Sequence, residues 1–598
     1  MANNLHIISL NAQGLTPRLS LVAALLRLHN VDLLLVQESL LTPRITARIN
    51  GYKQYHKDRG PERRGLVTYV RQEIDHSEII LPPTPTIEAI AVQIHIAGAS
   101  VIVINMYNSP RNRAVQTPEL QTLLNVAPRL AAIGDLNAKH STWRSPEARG
   151  PHSNAAGQQL YRHSLQRNYQ IIAPRLPTRT DPRTGSLSTL DIALVKNIPH
   201  YVSATTLDCL GSDHVPVMFT IHAQARTNTA PPRYAYHKAN WTKFATTLHA
   251  NLQIRRFSSP EEIDEGVIAF TRAVQHAADT AIPKFTPVRQ PDALPPDILQ
   301  LKRTMNAAKR RWTRYRRLPD RHVYNLLRAN LRADTRQWCQ AKWAQKLKQA
   351  SNHTDIWKLS KSLKRQPQVI PPLTSPAGTA LSDEDKATAL SLHFEAAYKQ
   401  TENLANPTHT GLVETQLDAY LRDTNDPLIR PTTPREIRTT IQKRHSFKAP
   451  GKNNIQNITL KHLPRKALAH LAILFNACLS LTHFPTPWKE ATVLPFHKPG
   501  KDPHLPQNYW PISLLSSISK IFERIVHDRL TEYLSRNALM KPHQFGFRSG
   551  HSTTHQILRL IEYIPEAFNL KQYSGAVFLD ATAAFDTVWT TGLLYKMA

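Results

Sequence analysis

Gly134-Asp135-Leu136-Asn137 closes an apolar run that begins at Leu130. A carboxylate and a carboxamide one residue apart, where a short buried strand stops, can share one site, and phosphodiester chemistry is the reaction such a pair suits. Other polar residues fall at comparable places. Asn11 follows the apolar run 6–10, Glu38 follows 33–37 and Tyr107 follows 101–106, while Asp191 precedes 192–195 and Ser212-Asp213-His214 precedes 217–221. Strand ends at one edge of a sheet converge. Glu38, Asp135, Asp191 and Asp213 would then gather enough carboxylate oxygen to hold a hard divalent cation. One histidine beside them would stabilise a phosphoryl transition state or exchange protons near neutral pH. Taken singly, each motif is also an ordinary turn, surface pair or strand cap. The ordered set carries the reading.

The elements that must position these residues are legible in outline. Strand-like runs occur at 6–10, 33–37, 65–70, 87–96, 101–106, 130–133, 192–195 and 217–221. In 87–96, Ile90, Val92, Ile94 and Ile96 alternate with Ala91, Gln93 and His95, the period of a strand with one buried face. Between the first two runs, residues 17–30 place Leu19, Val22, Ala23 and Leu26 on one helical stripe, widened by Leu21, Leu25 and Leu28. Such a helix packs on a sheet, so the first 224 residues read as an α/β domain.

Asn11, Gln37-Glu38, Asn105-x-Tyr107-x-x-Pro110, Gly134-Asp135-Leu136-Asn137, Ser188-x-x-Asp191 and Ser212-Asp213-His214-x-Pro216 together resemble the exonuclease-endonuclease-phosphatase family. The resemblance implies a four-layer α/β sandwich, two packed β-sheets flanked by helices, with a metal-dependent phosphodiesterase site along one edge. It implies Mg²⁺, with Mn²⁺ as a substitute, bound by Glu38 with Asn11 and Asp213. By the same resemblance Asp135 positions or deprotonates the attacking water and Asn137 orients it. His214, held by Asp191, and Tyr107 stabilise the charge that builds on the phosphate. Gln13 stands where repair members of the family often carry Asp, which argues against abasic-site repair more than against a nuclease.

The charge balance bounds the partners. Seventy-five Lys and Arg against 44 Asp and Glu leave a net charge of +31, with 41% hydrophobic residues to build cores. A polyanionic partner follows, nucleic acid first and anionic membrane second. Cys209, Cys339 and Cys478 are too far apart for a disulfide framework or a zinc spacing, which points to an intracellular, reducing compartment. No secretory signal is visible at the start. The most apolar later stretch, 467–481, is broken by His470, Asn476 and Ser480, so a soluble helix rather than a membrane span is expected.

Residues 225–430 read as a basic helical linker and nucleic-acid-binding region. From 302 to 365 the only acids are Asp320, Asp334 and Asp355, against Lys309, Arg310, Arg311, Arg314, Arg316, Arg317 and many more. Trp338, Trp343, Leu347 and Trp357 would anchor these helices, leaving the cations outward to neutralise phosphates. Lys309 to Arg317 also has the composition of a nuclear import signal. Beyond it, Pro367, Pro371, Pro372 and Pro376 mark a linker, and a mildly acidic helix around 383–398 follows.

In residues 431–598, Lys448-Ala449-Pro450-Gly451 and Lys498-Pro499-Gly500-Lys501 are basic turns able to cradle phosphate. Asn508-Tyr509-Trp510-Pro511-Ile512-Ser513, the loop Gln544 to Thr553 and Ala576-Val577-Phe578-Leu579-Asp580 follow, the last reading as a buried strand with an acid at its end. This order resembles the fingers and first palm strand, a partial α+β domain, of a reverse transcriptase from a Jockey-like, LINE-type non-LTR retrotransposon. The whole chain then resembles the second-frame protein of such an element. The resemblance makes Asp580 the first metal-binding polymerase carboxylate, places Phe585 under the incoming sugar and turns Lys498 toward the triphosphate. Trp510, Asn453 and Ala583 depart from the Arg, Asp and Lys usual in that family, and Trp cannot pair with phosphate. The sequence given ends 18 residues after Asp580, without a later Ala-Asp-Asp turn, so no polymerase activity is expected from these residues alone.

Three functions fit these observations. The first is a metal-dependent endonuclease that nicks target DNA, exposing a 3′-hydroxyl from which element RNA is copied, fused to an incomplete polymerase. Its partners are target DNA and element RNA, with no membrane and no small-molecule substrate, and its place of action is the nucleus. The second is a decayed, non-catalytic nucleic-acid-binding remnant. The third, a host repair endonuclease or small-phosphoester phosphatase, accounts for the first domain only.

Overall fold

The computed structural model describes residues 4–41, 47–59, 64–112, 114–147, 153–181, 184–227, 231–286, 290–350, 353–364, 370–376, 378–399, 406–422, 430–580 and 588–598. They divide into two compact units, one formed by 1–231 with 286–387 and the other by 232–285 with 388–598.

Strands of the first unit are β1 (Leu5–Asn11), β2 (Leu33–Gln37), β3 (Tyr52–Arg59), β4 (Arg64–Arg71), β5 (His76–Ile79), β6 (Ile87–Ile96) and β7 (Ala99–Asn108). They continue as β8 (Leu130–Asp135), β9 (Gln170–Ile172), β10 (Arg179–Thr180), β11 (Leu187–Ser188), β12 (Asp191–Lys196), β13 (Val202–Thr206) and β14 (Val217–Ile221). One six-stranded sheet runs β13-β14-β1-β2-β4-β3, the other β5-β6-β7-β8-β12-β9, and β10-β11 is a separate hairpin. Strand periodicity decides the layering. Leu5, Ile7, Leu33 and Leu35 on the first sheet meet Val92, Ile94, Val103 and Ile133 on the second, while Ile8, Leu10, Leu34 and Val36 point to the opposite side.

Helix α1 (Leu19–Leu28) covers that outer side, and α2 (Thr117–Leu124) and α3 (Ala155–Arg167) cover the outer side of the second sheet. The result is the expected four-layer α/β sandwich. Two details differ from expectation. β6 is buried on both faces over its first part, Ile90 and Val92 against the first sheet and Ile87, Ala89 and Ala91 against the helices, while Gln93 and His95 further on stay half-buried as the alternation suggests. The stripe on α1 is narrower than its leucines suggest: Leu21, Val22, Leu25 and Leu26 are buried, but Leu28, in the last turn, is 73% exposed.

The central region does not stand apart as one linker. Short strands β15 (Arg233–Tyr234) and β16 (Lys284–Phe285), with α4 (Trp241–Asn251) and α5 (Pro260–Ala281), belong to the second unit. The basic helices α6 (Pro296–Tyr315) and α7 (Leu318–Gln349) belong to the first. Ile298, Met305, Ala308, Trp312, Tyr324 and Leu331 enter the same core as Ile8, Leu10, Leu21 and Val22. Each such side chain contributes about 1.5–3 kcal/mol when fully buried, which outweighs desolvating the stems of two lysines. Lys302 and Lys309 accordingly lie buried on α6, and burial pulls the Lys302 ammonium below its ordinary pKa. The expected anchors differ too. Trp338 is half-buried, whereas Trp343, Leu347 and Trp357 are exposed.

The chain continues through α8 (His353–Lys364), the ribbon of β17 (Leu373–Ser375) and β18 (Gly378–Ala380), and α9 (Asp383–Lys399), the acidic helix expected there. In the second unit follow α10 (Pro407–Arg422), α11 (Pro434–Gln442), α12 (Asn457–Lys461), α13 (Arg465–Ser480) and α14 (Thr486–Lys489). An antiparallel ribbon, β19 (Thr492–His497) and β20 (Tyr509–Leu514), precedes α15 (Ser517–Arg536), α16 (Thr553–Asn569) and α17 (Thr590–Met597). Phe244, Phe270, Ile437, Leu471, Phe475 and Phe522 form its core, with α13 packed in the middle. No helix of the described residues is long and apolar enough to cross a membrane.

Residues 576–580, expected as a buried strand, carry no regular structure, and Val577, Phe578 and Leu579 are 86%, 85% and 93% exposed. No strand among the described residues pairs with this segment, since β19 and β20 pair with each other. Unpaired backbone groups stay in water, and the apolar side chains stay with them.

Candidate active site

Strand register gathers the motifs. Asn11 ends β1 opposite Gln37 at the end of β2, which puts Glu38 one residue past the sheet. In the second sheet Tyr107 lies opposite Asp135, and Asp135 opposite Asp191, so the three share one rung across β7, β8 and β12. Residues on one rung project from the same face. Tyr107 faces the inter-sheet core, and Asp135 and Asp191 therefore point toward the first sheet. Gly134 lets the strands close up: a Cβ there would lie 1.8 Å from the Met106 carbonyl oxygen.

The side chains interlock across the sheets. Asn11 Nδ2 donates to Glu38 Oε1 (3.1 Å) and to Asp135 Oδ2 (3.0 Å), and Tyr107 Oη donates to the same Glu38 oxygen at 2.6 Å. The Asn137 backbone N–H donates to Asp135 Oδ1 at 3.0 Å, while its Nδ2 donates to the Asn108 carbonyl. Glu38 and Asn137 hold φ of 47° and 49°, the left-handed region. Asn tolerates it; Glu does so at a cost of about 1–3 kcal/mol, a strain that clusters at functional sites.

His214 sits between two carboxylates. Its Nδ1 is 2.9 Å from Asp191 Oδ2 and its Nε2 is 3.7 Å from Asp135 Oδ2, all three residues being buried. Burial works against the imidazolium, but Asp191 and Asp135 overcome it and hold the His214 pKa up at about 9. Burial is also what raises Asp135, against the pull of His214, to about 7. Asp213 does not join Glu38 in the hydrogen bonds of this cluster. Arg179 Nε donates to its Oδ2 at 3.2 Å, and Ser212 Oγ contacts its Oδ1 at 3.4 Å.

Supporting residues surround this cluster, and of them Thr178, Arg18 and Arg179 left no signal in the sequence. Thr178 Oγ1 accepts from the Leu190 and Asp191 backbone N–H groups and so fixes the start of β12. Buried Gln37 donates to Asn105 Oδ1 at 2.8 Å, stitching the sheets together beneath the site. Arg18 donates to the Gln13, Gly14 and Gly211 carbonyls, tying the loop after β1 to the loop before His214. Behind that second loop lies Cys209. Burial pushes its thiol up, but Lys309, the Gly211 N–H and Arg328 overcome this and leave it below the ordinary thiol range. Lys309 thus serves the interior rather than a bound strand, a correction to its expected role. Arg310, Arg311, Arg314, Arg316 and Arg317 remain exposed. Arg316 lies against Gly185 of the β10-β11 turn, where a Cβ would come within 1.8 Å of its Nη1. The same hairpin carries Arg179, so the basic turn borders the active-site rim.

The donor set fits a divalent cation. Asp135, Asp191 and His214 place ligand atoms within 4.8 Å of one another, but His214, kept protonated by its two carboxylate neighbours, offers no lone pair, so the oxygen atoms are the candidate donors; Asp191 Oδ1 is buried without a hydrogen-bond partner among the described residues. Glu38 and Asn11 add oxygen donors that suit a hard ion.

The candidate polymerase residues fall in the second unit. Asp580 is exposed at the end of an irregular segment, and Phe585 lies outside the described residues. Lys498 Nζ donates to the Gln507 carbonyl at 2.8 Å, and Trp510 pairs across the ribbon with Phe496.

Residues 8–214 match the endonuclease/exonuclease/phosphatase family and residues 496–598 the reverse transcriptase (RNA-dependent DNA polymerase) family. The probable RNA-directed DNA polymerase from transposon BS of Drosophila melanogaster is 30% identical over 617 residues, covering 100% of this chain and 66% of that protein. The chain thus joins a segment that matches an endonuclease family to one that matches the reverse transcriptase family, and it is similar along its length to RNA-directed DNA polymerases of mobile elements. The RNA-directed DNA polymerase from mobile element jockey of Drosophila funebris is 29% identical, covering 98% of this chain and 64% of its own length. The chain therefore spans just under two thirds of the curated relatives it matches. Among solved structures, the endonuclease domain of TRAS1, a telomere-specific non-LTR retrotransposon, is similar at 20% identity and a TM-score of 0.30, covering 37% of this chain and 98% of that one.

Proposed function

We propose that the first unit is a Mg²⁺-dependent endonuclease that nicks target DNA and leaves a 3′-hydroxyl from which element RNA is copied. The observation that carries this is the interlocked set Asn11, Glu38, Tyr107, Asp135, Asp191 and His214, gathered at the ends of β1, β2, β7, β8 and β12 and in the loop before β14. Asp135, its pKa raised by burial to near neutrality, takes the proton of the attacking water, which Asn137 orients. His214, kept cationic by Asp191, faces the charge that develops on the phosphate in a site where water does not screen it. Asn11 and Tyr107 fix the rotamer of Glu38. Mg²⁺, held by Glu38 and Asn11, would supply Lewis-acid stabilisation of the phosphoryl oxygens and the leaving group. Asp213, engaged by Arg179, positions the loop that carries His214.

Arg316 lies beside the hairpin at the rim, and with the exposed Arg314 and Arg317, and with Arg310 and Arg311, which pair with Asp208 and Asp320, it supplies phosphate-neutralising charge for which target DNA is the fitting partner. Action in the nucleus is the reading that such a substrate supports. Conversion of supercoiled plasmid to open circles by the full chain in Mg²⁺, lost in EDTA, is the expected result. Intact plasmid in Mg²⁺ would overturn the reading.

A further inference from the structure

The loop between β13 and β14 carries Asp213 and His214, and helices α6 and α7 form its floor within the first unit. Leu210 is buried in the core that it shares with Met305, Trp312 and Tyr324, and Leu207 packs against the same cluster. The rest of the contact is polar. Asp208 pairs with Arg310 at 3.7 Å, and a Cβ on Gly211, whose φ of 82° is left-handed, would lie 3.7 Å from Arg328 Nε. Lys309, 7% exposed, turns inward at the same place. Its ammonium has no oxygen acceptor among the described residues, and its charge bears on the buried Cys209 thiol.

Cys209 passes that hold along the chain. Its Sγ donates to the Ser212 carbonyl and accepts from the Gly211 N–H, both at 3.2 Å, which closes a tight turn. Ser212 Oγ donates to the Asn11 carbonyl at 3.1 Å, fixing the far end of the turn to the end of β1. The next residues are Asp213, engaged by Arg179, and His214, whose Nδ1 is 2.9 Å from Asp191 Oδ2. A buried ammonium with a single sulfur partner is costly to leave unmatched, so the contact resists any slip of the turn away from α6.

We propose that Lys309 is a positioning residue of the nuclease: from α6 it holds the turn Cys209 to Ser212 and, through that turn, keeps His214 in place between Asp191 and Asp135. The effect on rate rests on the nuclease reading, whereas the hold on the turn rests on the packing alone. Helices α6 and α7 are then part of the enzyme and not only a basic surface beside it.

Amide hydrogen exchange of the full chain, read by mass spectrometry over 208–214, tests the hold without reliance on cleavage. In Lys309→Met, which keeps the apolar stem, exchange of that segment is expected to quicken by at least about threefold while 87–108 is unchanged. Cys209→Ala removes the other side of the contact and is expected to do the same, so one misfolded variant leaves the other to decide. Unchanged exchange at 208–214, or equal acceleration of both segments, would overturn the hold. Plasmid nicking in Mg²⁺ is the second readout: the maximal rate of Lys309→Met is expected to fall by about tenfold at unchanged KM, with recovery in Lys309→Arg. A full maximal rate would overturn the positioning role, and a raised KM alone would overturn it in favour of contact with DNA. A parent chain that fails to nick would count against the nuclease reading, and the exchange comparison would still decide the hold.

Discussion

Asp135 and Asp580 each follow an apolar run, Leu130 to Ile133 and Ala576 to Leu579, and in sequence they look alike. In the folded chain they are opposites. Asp135 is 1% exposed on a rung between Tyr107 and Asp191 and accepts from Asn11 and Asn137, whereas Asp580 lies in an exposed segment that pairs with no strand among the described residues. A carboxylate becomes a catalytic candidate when strands distant in sequence bury it among partners, burial raising its pKa, and the apolar run before it does not suffice.

The sharpest way to break this contrast is to neutralise both. Asp135→Asn is expected to lower the nicking rate by about 10³-fold and His214→Ala by about 10²–10³-fold, while Asp580→Asn leaves nicking unchanged in the same plasmid assay. Asp191→Asn removes the charge that keeps His214 cationic, so nicking is expected to fall by about 10²-fold with melting temperature little altered. Comparable losses from Asp580→Asn and Asp135→Asn would erase the distinction.

The contrast extends to the basic helices, which the sequence presents as an outward array. Trp312→Ala is expected to destabilise the first unit by about 3–5 kcal/mol, read by denaturant unfolding, because Trp312 stands in the core shared with Leu10 and Val22. A chain ended at residue 224 is expected to lose stability for the same reason. Nicking and melting equal to those of the full chain would show α6 and α7 to be dispensable. The smallest effect is expected from Arg316→Ala/Arg317→Ala: DNA binding weakened, with the salt slope reduced by up to about 1.8 and the maximal nicking rate retained.

What was legible follows the same physics. The runs at 33–37, 87–96 and 217–221 coincide with β2, β6 and β14, since apolar strands buried in a sandwich advertise themselves. β3, with Lys53, Gln54, His56 and Lys57, pairs with β4 at a sheet edge through its backbone and so has no apolar signature. The two-residue strands of the β10-β11 hairpin are too short to show a period, and Arg179 and Thr178 were invisible for that reason. Lys309 was read by its charge, although its place on the α6 face shared with Met305 and Trp312 decides its burial. At 576–580 the apolar run was visible, but that no strand among the described residues pairs with it was not.

The central claim is that Asp135, His214 and their partners form a working phosphodiesterase centre. Its most direct test is supercoiled-plasmid nicking by the full chain in Mg²⁺, with the nicked ends assayed for extension by an added polymerase. Nicks bearing extendable 3′-hydroxyls, absent with Asp135→Asn and present with Asp580→Asn, are the expected result. Nicking that persists in Asp135→Asn, or ends that cannot be extended, would contradict the account.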